Sequence, residues 1–257
     1  ALHAAKIAEC GTLCARPGGA NDALLCTLRE HDFIVEPANP AKSCYPDTVA
    51  AHSLYEQPDP NCFYEPEGMV DMSDCTFEQF GERSVRVSGT RLVPAAKPTI
   101  KLEGTALRGY RAITVAGMRD PAAIAHIGEI EANVRDAVSG NLAGTIAPDG
   151  YSLRFLRYGM DGVMGALETE RRTPPHEVGF IIEAIAPTQE LADSVVSLAR
   201  STALHCHFAG RKCTAGNLAF PFSPSDLQAG PVYEFAVYHL MELDDPDALF
   251  PLRFEEV

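Results

Sequence analysis

The chain has 257 residues, 46% of them hydrophobic, and sets 35 Asp and Glu against 21 Lys and Arg for a formal net charge of −14. That length buries a core without disulfide staples and holds one large domain or two ordinary ones. The negative excess repels phosphate backbones and anionic membrane surfaces, so nucleic acid and membrane are excluded as partner classes, and a small anionic substrate needs a local cluster of Arg and Lys.

The chain opens in helical pattern, with Leu2, Ile7 and intervening Ala residues and no capping residue before them. This reads as a start inside an element, with a region missing before Ala1. Leu24–Leu28 and Phe33–Glu36 predict short strands around the polar turn 29–32, and Pro37 to Pro40 breaks the pattern. Pro46 opens a short helix on which Thr48, His52 and Tyr55 share a face. Residues 57–68 hold three prolines and predict a loop. Cys75–Phe80 and Ser84–Ser88 predict a hairpin around Gly81, and 94–98 a boundary.

From residue 99 the pattern is regular. Strands are expected at Thr99–Glu103 and Arg111–Ala116, then a helix over Pro121–Val138, where Ile124, Ile127, Ile130, Val134 and Val138 recur every three or four residues and Gly140 is the stop. Strands follow at Tyr151–Tyr158 and Glu177–Ala186. Thr188 caps a second helix carrying Leu191, Val195, Leu198 and Thr202, and Val232–Leu240 is the last strand. The expected fold is therefore α/β (α+β): a mixed, turn-rich portion over 1–98, then a ferredoxin-like β-α-β-β-α-β unit over 99–257 with both helices on one sheet face.

No run of ~18 apolar residues exists to span a bilayer, and no basic-then-apolar leader opens the chain. The eight cysteines, at 10, 14, 26, 44, 62, 75, 206 and 213, form no C-x-x-C pair and read as reduced thiols of a cytoplasmic protein. Phosphate-loop, dinucleotide-binding and serine-hydrolase motifs are absent, and no cofactor is assigned.

The long link after the second helix is the densest in reactive groups. His205, His207 and Lys212 are the candidate catalytic residues, suited to proton movement near neutral pH. Arg211, Thr214, Gly216, Asn217, Ser223 and Ser225, with Arg111 from a separate basic cluster, are the candidate binding residues, offering positive charge and amide donors to an oxyanion. The alternative for the link is a turned connector whose polar groups satisfy its own backbone. A metal set of His205, His207 and Cys213, with Cys206 as a further ligand, is weaker because its spacing fits no standard site, so no metal is assigned. Arg154, Arg157 and Tyr158 form another basic group on a predicted strand.

Several short runs carry a family resemblance. Val49-Ala50-Ala51-His52-Ser53-Leu54-Tyr55-Glu56 with Asp59-Pro60, Val85-Arg86-Val87-Ser88-Gly89, Lys101-Leu102-Glu103-Gly104, Gly109-Tyr110-Arg111 and the stretch Thr214 to Asp226 together resemble the acyclic terpene utilisation family, AtuA. The resemblance implies a bacterial cytoplasmic protein of branched or unsaturated carboxylic acid and terpenoid catabolism, with a Rossmann-like region preceding Ala1. The expected function is a lyase, hydratase or isomerase acting on such a carboxylate or its acyl thioester. The competing expectation is a non-catalytic subunit or small-molecule-binding module. The expected partners are a small anionic organic substrate and either a second copy or a partner chain supplying the missing region.

Overall fold

The structure, a computed structural model, describes residues 1–55, 57–147, 149–170, 174–212, 216–245, 249, 251 and 253–255. In chain order the elements are α1 (Leu2–Ala8), β1 (Ala15–Arg16), β2 (Leu24–Leu28), β3 (Asp32–Pro37), β4 (Ser43–Cys44), α2 (Pro46–Ser53), β5 (Cys62–Glu65), β6 (Gly68–Asp71), β7 (Thr76–Phe80), β8 (Ser84–Ser88) and β9 (Arg91–Pro94). They continue with β10 (Thr99–Met118), α3 (Pro121–Ala125), α4 (Ile127–Leu142), β11 (Ser152–Tyr158), β12 (Val178–Ala186), α5 (Gln189–His205) and β13 (Asp226–Glu242). The fold class is mixed α/β with antiparallel pairing throughout the registered strands. Two compact units divide the chain: Ala1–Glu103 with Val237–Val257, and Gly104–Ala236.

In the first unit the main sheet runs β2-β3-β8-β7. Val35, Val85 and Val87 alternate onto one face and are buried against Ala4 and Ile7 of α1 and Val49 of α2. The helices are short and stand by this burial rather than by their own propensity. Thr48 closes the start of α2, its hydroxyl accepting the Tyr45 N–H at 3.2 Å and donating to the Tyr45 carbonyl at 2.9 Å. A second sheet, β5-β6-β9, takes its first strand from the segment where the proline count predicts a loop. Its strands are only four residues long, and Phe63, Val70 and Met72 bury a small core of their own. Gly68 makes the turn at φ +143°, where a Cβ would sit 2.1 Å from the Val93 carbonyl oxygen.

In the second unit the order is strand, helices, two strands, helix, strand, and the sheet runs β11-β12-β10-β13. Ala112, Ala116 and Met118 of β10 and Phe180, Ile182 and Ala184 of β12 point to one face. There they share a core with Ile130, Val134 and Val138 of α4 and Val195, Val196, Ala199 and Ala203 of α5. Two expectations change in detail. The strands foreseen at 99–103 and 111–116 are one strand, because Gly109, at φ +152°, lets β10 pass the Ala186 carbonyl, which a Cβ would approach to 2.5 Å. The helix foreseen over 121–138 is interrupted at His126, at φ −106° and ψ 15°, where the imidazole Nδ1 lies 2.8 Å from the Ala122 carbonyl. It then runs through Gly140 to Leu142.

Candidate functional site

The last turn of an α-helix leaves its carbonyls without intrahelical partners, and the link after α5 supplies them. Asn217 donates from Nδ2 to the Ala203 and Cys206 carbonyls at 2.9 and 2.8 Å, and from its backbone N–H to Leu204 at 3.1 Å. Arg211 Nη1 donates to the His205 carbonyl at 2.9 Å, while Arg211 Nε and Nη2 are buried with no hydrogen-bond partner among the described residues. His205, His207, Lys212, Gly216 and Ser223 are exposed, and Ser225 faces Asp226 at 3.5 Å. Thr214 and Cys213 lie outside the described residues. Arg111 stands apart on the sheet, its Nε 3.1 Å from Glu183, which also holds Arg154 at 3.1 Å. Among the described residues no group of three His, Cys, Asp or Glu is placed to hold a metal. The link thus brings Arg211, His205 and Asn217 together at the helix end, and none of its residues lines either cavity described next.

The second unit contains a cavity of about 590 Å³ with an apolar wall of Ile124, Ile127, Met160 and Pro175. Arg157 and Asp161 line it, held together by two bonds of 2.9 and 2.5 Å. The turn that folds Asp161 back needs Gly162, whose Cβ would lie 2.8 Å from the Arg157 carbonyl carbon. Glu131 on α4 approaches Arg157 at 3.7 Å, and burial pushes its carboxyl pKa up. Arg157 is already matched by Asp161, and Glu168 and Glu170 add carboxylates to the wall, so this cavity suits an organic anion poorly.

The first unit holds a different constellation. A cavity of about 530 Å³ is lined by His3, Thr90, Arg29 and Arg91, with the carboxylates of Glu30, Asp32 and Asp74 also on its wall. His3 is 2% exposed and stands edge-on to Phe33, Phe63 and Phe77 at 5.3, 6.5 and 6.4 Å. Desolvation, with Lys6 next, pushes its pKa down to about 4, so the imidazole is neutral near pH 7. Its Nδ1 is 2.8 Å from Thr90 Oγ1 and its Nε2 is 3.0 Å from Ser53 Oγ.

One consistent set of hydrogens follows when the Ser53 hydroxyl is taken as donor to the Val49 carbonyl. Ser53 donates its only hydrogen to the Val49 carbonyl at 3.0 Å, so its contact with His3 requires Nε2 to carry the proton. A neutral ring then leaves Nδ1 bare, and Thr90 donates to it. With that hydrogen committed, the 3.2 Å contact between Cys75 and Thr90 has the thiol as donor. The order is Cys75 to Thr90 to His3 to Ser53 to the Val49 carbonyl. A hydroxyl on a cavity wall thus faces a free imidazole nitrogen whose ring is oriented by a third group, the pattern of an activated hydroxyl.

Gly89 brings the pieces together. It sits at φ +85°, and a Cβ there would meet the Asp74 carbonyl oxygen at 2.1 Å and the Cys75 Cα at 3.2 Å. Only glycine lets the end of β8 pass so close to Cys75. Two of the runs that carry the family resemblance converge here: Ser53 belongs to the Val49–Glu56 run, and Thr90 follows directly on Val85–Gly89. The sequence reading passed over His3 and Thr90, whose contacts join residues 87 and 50 positions apart. His52, singled out in that same run, instead stacks on Tyr55 with ring centroids 5.7 Å apart.

The fold and this site together describe a mixed α/β protein with a buried, neutral imidazole in contact with a hydroxyl on a cavity wall. The chain matches the family model described as acyclic terpene utilisation family protein AtuA over residues 32–225, which is most of its length, and belongs to that family. No curated protein and no solved structure matches it. No helix among the described residues is long and apolar enough to cross a membrane.

Proposed function

We propose that the chain is a catabolic enzyme of the lyase, hydratase or isomerase type, acting on a branched or unsaturated carboxylate or its acyl thioester, with Thr90 and His3 moving the proton. The family's tie to acyclic terpene utilisation supports that substrate class. The observation that carries the mechanism is the 2.8 Å contact between the cavity-lining Thr90 hydroxyl and Nδ1 of His3.

As a proton leaves carbon next to the substrate carbonyl, the Thr90 oxygen takes it and passes its own hydrogen to Nδ1. Ser53 holds the ring in the receiving tautomer. Burial among phenylalanine rings makes the imidazolium costly, so the proton is returned quickly. That suits a reaction in which one proton goes out and comes back, as in double-bond migration or hydration. Arg91 and Arg29 line the cavity, 64% and 44% exposed; Arg91 is paired with Asp71 at 2.6 Å and Asp74 at 3.8 Å and Arg29 with Asp32 at 3.7 Å, so a substrate carboxylate is held there only by displacing these partners.

The test follows 3-methylbut-2-enoate and its N-acetylcysteamine thioester in D2O by proton NMR. Thr90→Val keeps the shape of the side chain and removes the relaying hydroxyl. It is expected to slow deuterium uptake about 10²- to 10⁴-fold. Uptake at the wild-type rate in that variant rejects the reading.

A further inference from the structure

We propose that the substrate of this cavity carries an acyl chain reaching well past five carbons, and that Leu92 is the residue that reads its length. This rests on the proton-transfer reading of the same site and adds a seat for the substrate's tail. The apolar part of the cavity wall is Leu2, Phe33, Val70, Val87 and Leu92.

The pairing of β5, β6 and β9 sets Phe63 directly opposite Val70, and Val70 directly opposite Leu92. Directly opposed residues on paired strands put their side chains on the same face. Phe63, Val70 and Leu92 therefore form one row across the small sheet. The row starts beside His3, whose ring centroid lies 6.5 Å from that of Phe63. Phe63 and Val70 are buried, whereas Leu92, on the outer strand, is 49% exposed. The row thus ends in an apolar side chain that lines the cavity and is half open to water.

The position of Leu92 relative to Thr90 sets the length that it reads. It follows Thr90 by two residues and lines the same cavity. Extended backbone advances ~3.3 Å per residue, so the two stand about 6.6 Å apart, roughly five carbon–carbon bonds of an extended alkyl chain. A five-carbon acyl group with its reacting carbon at the Thr90 hydroxyl ends short of Leu92. A chain of about eight to eleven carbons covers it and takes its exposed surface out of water. The cavity volume of about 530 Å³ is of the size that encloses a drug-sized molecule, more than a five-carbon acid fills. Val93 is the internal contrast. It is 48% exposed and next in the chain, but it stands opposite Met69 on the other face of the sheet and does not line the cavity.

The experiment measures deuterium uptake by the full chain with 3-methylbut-2-enoic and 3-methyldec-2-enoic acids, each as the acid and as its N-acetylcysteamine thioester. The two share a head and differ in the tail, and the reading is the long-to-short ratio of kcat/KM. In the wild type the longer chain is expected to be favoured at least ~10-fold. Leu92→Asn is expected to lower the ratio about 10-fold, mainly by raising KM for the longer chain, and Leu92→Met to restore it. Val93→Asn is expected to keep the wild-type ratio. Circular dichroism of each variant separates a lost contact from a lost fold. An unchanged ratio in Leu92→Asn, or an equal fall in Val93→Asn, overturns the proposal. Uptake from both chains with no preference for the longer overturns the tail seat alone, whereas no uptake from either overturns the proton-transfer reading with it.

Discussion

An imidazole enclosed by three phenylalanine rings and two hydroxyls has its stability written into its protonation state. His3 binds its proton in the unfolded chain near pH 6.5 but in the folded chain only at about 4. Between those values the unfolded chain holds more protons, so stability rises with pH across that window and is lost as pH falls through it. The loss from pH 7 to pH 4 at this residue is expected to be about 3 kcal/mol. Urea melts at a series of pH values check it, and His3→Gln is expected to flatten the dependence over that window. Little of this was legible in the sequence. Spacing rules relate residues three or four apart on one helix; His52 and Tyr55 do stack, although α2 ends at Ser53 and Tyr55 lies in the turn beyond it. His3 depends on Ser53 and Thr90, which only the fold brings near. The signal within reach was the pair of family-like runs, which pointed at the right neighbourhood without naming its imidazole.

Polar density in the link after α5 was visible in the sequence, and the structure gives much of it a purpose in the helix. Asn217 is 7% exposed and supplies three donors to carbonyls at the end of α5. Asn217→Ala leaves two of those contacts unmade in a buried place and is expected to cost about 1–3 kcal/mol; thermal melts monitored by circular dichroism measure it. The strand and helix patterns of the second unit were legible because α4 and α5 each bury one stripe, and β12 buries Val178, Phe180, Ile182, Ala184 and Ala186 on one face, with Glu183 the one buried residue on the other. Breaks were not. A glycine reads as a stop in sequence, yet Gly109 sustains a strand and Gly140 lies inside α4. His126 carries no breaker signal at all, and its ring interrupts the helix by reaching the Ala122 carbonyl. The four-residue strands β5, β6 and β9 escaped for a related reason. Prolines crowd the segment before them, and their small core is assembled from residues too few to show a period.

At the scale of the whole molecule, the seven described cysteines are free thiols. Thiol titration in denaturant without reductant is expected to find at least these seven, while Cys14 and Cys44, at 2% and 0% exposure, stay silent in the native protein. A lower count in denaturant means disulfides form. Residues 104–236 form one compact unit, and the chain returns at Val237 to the unit that holds residues 1–103. The outgoing strand β10 and the returning strand β13 are neighbours. They are joined at their outer ends by the Leu243 N–H on the Pro98 carbonyl at 2.8 Å and by Lys97 on Glu242 at 2.9 Å. To the first unit, everything between is one excursion whose ends are already clasped. The entropic cost of closing an excursion grows only with the logarithm of its length. With those ends clasped, a longer segment between them adds little to the entropic cost of bringing residues 97–98 and 242–243 together.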